Sequence, residues 1–206
     1  MTTSFYDLVP SLTVHDPLAE FLGAAEGGRI EYHYADAVRL AGHSCPTVAS
    51  AYWMTLKALK HLYPERLPER GAIRVEFRAD RLSGVTGVVA SVVALLTGAT
   101  LDMGFKGIAG RYDRRKLMAF EADIDGEMRF TRLDTGAAVD VRADVHRVPF
   151  APATSALMQK CLDGSASTVE ADEFRASWQA RVRALLIEHG DDPEVFELRA
   201  VAREAA

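Results

Sequence analysis

A histidine and a cysteine stand two residues apart in Ala41-Gly42-His43-Ser44-Cys45-Pro46, and an apolar run of helical period follows at once. Side chains two apart in an extended segment point to the same side, so His43 and Cys45 can converge on one ion if the chain is extended up to the helix. Imidazole and thiolate together suit zinc or another borderline-soft divalent ion, and zinc is the ion expected here. Two donors do not complete a tetrahedral shell. The others must come from elsewhere in the chain, from solvent, or from a second subunit. Pro46 suits the first helical position, where its missing N–H has no intrahelical partner, and this makes Cys45 the N-cap. The unpaired N–H groups and the helix dipole at that end favour a negative sulfur, which serves a metal ligand and a nucleophile alike. The plainer alternative is that Ser44 or Cys45 only caps the helix while His43 bonds to backbone. Spacing alone does not separate the two.

Further ligands are hard to find. Cys161, in Leu157-Met158-Gln159-Lys160-Cys161-Leu162, fits a helical packing position, the commoner place for a free cysteine. His15, His33, His61, His146 and His189 each sit alone among ordinary surface or strand patterns, with His15-Asp16 and His33 the best extra candidates. A second cluster, Gly104-Phe105-Lys106-Gly107 followed by Gly110-Arg111-Tyr112-Asp113-Arg114-Arg115, could hold an oxyanion through bare backbone N–H groups and guanidinium forks. Lys106 and Arg114 are its candidates for orienting an anionic substrate. The simpler reading is a glycine-rich hairpin with a solvated charged tip. Gly84-Val85-Thr86-Gly87 offers another candidate anion-binding helix N-terminus, but it lacks a Walker lysine or a spaced dinucleotide fingerprint.

The elements that must position these residues can be read from periodicity. Asp16-Pro17 opens a short helix that Gly27-Gly28 terminates, residues 30–34 alternate as a strand, and residues 36–40 lead as a short helix into the His-Ser-Cys-Pro motif. From Pro46, Val48, Ala49, Tyr52, Leu56, Leu59 and Tyr63 recur at three and four residues, a helix that Pro64 closes. Residues 73–77 alternate as a half-buried strand, and the apolar run 85–96 reads as a buried helix capped by Gly98. Residues 107–112, 116–123, 127–133 and 138–141 read as strands of an antiparallel meander, with Asp125-Gly126 as a hairpin turn and Asp134-Thr135-Gly136 as another. After Pro149 and Pro152 the pattern turns helical over 154–162 and 170–189. The expected fold class is α+β, an antiparallel sheet packed by helices, with a core over 1–150 and a helical C-terminal segment over 151–206 packed on it.

Composition narrows the partners. The 206 residues carry a formal charge of -5, which argues against nonspecific binding to nucleic acid or an anionic membrane. Two cysteines are too few for a disulfide scaffold and fit a reducing compartment. The first residues show no basic segment followed by an apolar one, and the run 85–96 is too short to cross a bilayer, so a cytoplasmic location is expected.

Gly42-His43-Ser44-Cys45-Pro46, the helix after it, Leu96-Thr97-Gly98-Ala99-Thr100, Asp113-Arg114-Arg115-Lys116-Leu117-Met118-Ala119-Phe120 and Arg132-Leu133-Asp134-Thr135-Gly136 together, in this order, resemble the FmdE-like family, relatives of the FmdE component of formylmethanofuran dehydrogenase. The similarity spans residues 34–141. It implies an α+β core and a metal-binding cleft near a homodimer interface, with His43 and Cys45 in the places of the family's histidine and cysteine. The chain departs from the pattern at Thr47, where the family has glycine, at Ala99, which replaces a cysteine, and at Met103, which replaces a lysine. A second site cysteine is missing from the helix that includes Gly87 and Ser91, so an altered metal set is expected. Cys161 alone cannot form the paired-cysteine zinc finger of many relatives.

The expected function is a metal-binding protein in which His43 and Cys45 hold a divalent ion with an open position. As an enzyme, it would act on a small anionic substrate. Alternatives are a non-catalytic accessory protein that delivers a metal or cofactor to a redox enzyme, and a metal-free thiol redox protein using Cys45.

Overall fold

The computed structural model describes residues 5–202. Residues 1–4 and 203–206, the outer ends of the two expected units, lie outside the described residues. The molecule is built around one helix. Strands β1 (Leu12–His15) and β2 (Arg29–Tyr32) pair antiparallel and enclose the short helix α1 (Pro17–Phe21). Helices α2 (Tyr34–Ala41) and α3 (Pro46–Leu62) follow, the second starting on proline as the sequence implies. Residues 48–56 of α3 are buried without a break, so the helix is wrapped on all sides rather than amphipathic.

On one side of α3 lies a five-stranded sheet, made of β3 (Ile73–Phe77), β4 (Met118–Ala119), β5 (Met128–Arg132), β6 (Ala138–Ala143) and β7 (Phe196–Val201) in the order β4-β3-β5-β6-β7. Against its other sides pack α2 and the apolar helix α4 (Thr86–Thr97), whose C-cap Gly98 takes a φ of 71°. The tail supplies α5 (Thr154–Leu162) and α6 (Thr168–Arg183), the latter opened by a Ser167/Glu170 capping box and prolonged by a π-helical turn over Ala184–Glu188.

The α+β class and the tail helices agree with the sequence reading, and the strand expectations need three corrections. Residues 107–112 form no strand: Gly107, Ala109, Gly110 and Tyr112 all take positive φ, and Ile108 and Arg111 bond only each other across a tight turn. Positive φ at Lys116 and Glu121 likewise shortens the expected strand over 116–123 to Met118–Ala119, which pairs parallel to β3. Asp125-Gly126 therefore joins no hairpin, because β3 lies between β4 and β5; the Asp134-Thr135-Gly136 turn does join β5 to β6. The tail also contributes β7, which pairs with β6 over six residues. Its Glu-Leu-Arg-Ala-Val run is too polar on one face to signal a core strand. Among the described residues, no helix is long and apolar enough to cross a membrane.

Candidate functional site

Helix α2 ends on Gly42 at φ 77°, with the Gly42 N–H bonded back to the Val38 carbonyl. The chain then runs extended to Cys45 (φ -149°, ψ 168°), the N-cap of α3, whose carbonyl accepts from the Ala49 N–H at 2.9 Å. No helix N–H bonds the Cys45 side chain, so its sulfur is left uncommitted. His43 is exposed, and its Nδ1 lies 2.9 Å from the Ala41 carbonyl. A carbonyl only accepts, so Nδ1 carries a proton, and in the neutral ring Nε2 keeps its lone pair. The backbone bond that looked like an alternative to metal binding thus prepares the ring for it.

Between the two, Ser44 is fastened from both sides. Its hydroxyl lies 3.0 Å from the Tyr34 hydroxyl, and its carbonyl accepts from Trp178 Nε1 and Gln179 Nε2, each at 3.1 Å. Burial pushes the Tyr34 hydroxyl well above the usual phenol range, so it stays protonated, and either hydroxyl can donate in this bond. Both donors to the Ser44 carbonyl stand on α6, so the tail clamps the motif.

His43 and Cys45 open onto a cleft of about 780 Å³ walled by α3, the turn after β6 and α6. Across it lie His146, Phe150, Trp178 and Arg181. The Phe150 and Trp178 rings stack at 4.8 Å, and the Arg181 guanidinium lies 4.0 Å over Phe150 while donating to the carbonyls of Val145 and Val148. The described lining includes no Asp or Glu. Among the described residues, no three His, Cys, Asp or Glu side chains converge closely enough to hold a metal ion.

The family model described as FmdE, molybdenum formylmethanofuran dehydrogenase operon, matches residues 40–192, from just before the His-Ser-Cys-Pro motif to beyond α6. The chain belongs to the FmdE family. No curated protein matches it.

In this FmdE family member the match includes the tail helices and so unites the motif with the element that clamps it. The other residues singled out from sequence fall elsewhere. Arg114 is buried and donates Nη2 to Asp16 at 2.7 Å, while Arg70 binds the other oxygen of the same carboxylate at 2.9 Å. That pairing holds Arg114 inside the fold, where it does not line the cleft. Lys106 is exposed on the glycine-rich loop and does not line the cleft. His15 is held by Glu20 at 2.9 Å and His33 is the N-cap of α2, so neither joins His43. The histidine that does reach the cleft is His146, on a short turn capped by Asp144. About a hundred residues separate it from the motif, and no spacing in the sequence links the two. Arg181 was equally hidden on the polar side of a helix read as packing.

Proposed function

We propose that this FmdE family member binds a divalent ion, zinc in the first place, through His43 Nε2 and the Cys45 sulfur at the edge of the cleft. The observation that carries the reading is the Nδ1 bond to Ala41, which leaves Nε2 for a ligand on the same cleft as a thiol that no helix N–H engages. Cys45 also stands at the N-terminus of α3, on the lining of the cleft. Two donors leave coordination positions for solvent, a substrate atom or a group from a second copy, and a homodimer fits that need. When bound, the ion would supply Lewis acidity or a water of lowered pKa. The chain's own contribution is to fix the ring through Ala41, fix the Cys45 backbone through Ser44, and wall the cleft with Phe150 and Trp178. A cytoplasmic setting, where thiols stay reduced, suits two free cysteines. Cys45 is only 8% exposed, which favours a ligand over a thiol that exchanges with other proteins.

Metal analysis of tag-free protein tests the reading. The expected result is about one zinc per chain, lost in both His43→Ala and Cys45→Ala, with sedimentation showing a dimer. Wild-type protein that takes up no metal, and whose Cys45 is rapidly alkylated, would overturn it in favour of thiol chemistry.

A further inference from the structure

Ion binding at His43 and Cys45 leaves one charged group of the cleft without a task. Arg181 is half-buried on its wall, with Nε and Nη2 held by the Val148 and Val145 carbonyls and, among the described residues, no acceptor on Nη1. Carbonyls orient a guanidinium but do not neutralise it. The buried or half-buried arginines Arg70, Arg114, Arg129 and Arg132 each pair with an aspartate, whereas no described Asp or Glu pairs with Arg181. Burial disfavours its charge with no carboxylate to offset it.

The same cleft is bordered by two helix starts. Cys45 and Pro46 begin α3, and Ser155 lies in the first turn of α5; neither helix has an acidic residue in that turn or a side-chain cap. In a chain of net charge -5, a cleft with an unpaired guanidinium, two helix N-termini and no acid is set up for an anion. Its remaining wall is apolar and aromatic, with Pro149, Phe150, Pro152 and Trp178.

We propose that Arg181 anchors the carboxylate of a small ligand whose apolar body lies along Phe150 and Trp178, within the cleft that His43 and Cys45 border. The proposal rests on the reading of this cleft as the functional site and names its substrate class. A single guanidinium beside an aromatic wall fits a monocarboxylate better than a fully hydrated phosphate. An organic cation would find no carboxylate among the described lining.

Calorimetry with benzoate, its neutral analogue benzamide, and inorganic phosphate, on metal-free and zinc-loaded protein, tests it. Benzoate is expected to bind the wild type at least about tenfold more tightly than benzamide, as a charge-assisted bond requires. Arg181→Gln is expected to abolish that preference and Arg181→Lys to keep part of it, with thermal melts checking that both fold. The wild-type comparison of the two probes stands whether or not the variants fold. Equal affinity for benzoate and benzamide, a preference kept in Arg181→Gln, or tighter binding of phosphate would overturn the proposal. Arg181-dependent benzoate binding by protein that takes up no zinc supports the carboxylate site while removing the metal reading. Zinc uptake with no preference for benzoate does the reverse.

Discussion

Asp16 shows how one residue can decide whether another is functional. Burial by itself would raise its carboxyl, but the Ala19 N–H and the Arg70 and Arg114 guanidiniums outweigh it and hold the group below its ordinary value of 3.8. The pair is nearly inaccessible, with side chains 4% and 6% exposed. Asp16→Asn would strand the Arg114 charge in the interior, whose Nη1 already lacks an acceptor, and should destabilise the fold by about 3–5 kcal/mol in urea denaturation at pH 7. Because the folded carboxyl titrates below the unfolded one, this contribution is complete above about pH 4 and is lost as pH falls through the lowered value. The gap between wild type and variant should therefore be constant at neutral pH and close on acidification. At His43, a 2.9 Å bond to one carbonyl settles which nitrogen is free.

Helix α6 is an element whose role depends on what it touches. Trp178 and Gln179 satisfy the Ser44 carbonyl between the two motif residues, and the Phe150–Trp178 stack forms the cleft wall. Trp178→Phe combined with Gln179→Leu should leave the helical circular dichroism intact, yet weaken zinc binding about tenfold or more in chelator competition, because a loosened support shell costs affinity. The turn after α6 docks on α3 through Gly190, whose carbonyl accepts from Trp53 Nε1. A Cβ at Gly190 would press into the Trp53 ring and lie 2.8 Å from the Leu186 carbonyl, and neither can yield easily. Gly190→Ala should cost about 1–3 kcal/mol, read as a lowered thermal midpoint.

At the scale of the whole molecule, β7 returns the end of the described chain to the core. It pairs with β6 along six residues, and Phe196 is buried against the Trp53 ring at 6.5 Å. A chain ending at residue 195 would expose the edge of β6 and remove Phe196 from the core, so its thermal transition should lose cooperativity. Intact cooperative unfolding of that truncation would show the sheet to be self-sufficient without β7.

Local rules were strong enough in the sequence to determine α3 beginning at Pro46, α4 capped by Gly98, α5 over Thr154–Leu162, the turn between β5 and β6, and the extended His43-to-Cys45 segment at a helix start. Each depends on neighbours within a few residues: a missing N–H, a positive φ, a repeat of side chains on one face. The loop around 107–116 misled because Ala109, Tyr112 and Lys116 take positive φ, which none of the three residue types favours. Only the tertiary structure decided that Arg114 is a core ion pair, that Arg181 and His146 share a cleft with His43, and that α6 holds Ser44. Those facts join residues about a hundred or more positions apart, and side chains that distant are brought together by burial of the whole core, which no local pattern encodes.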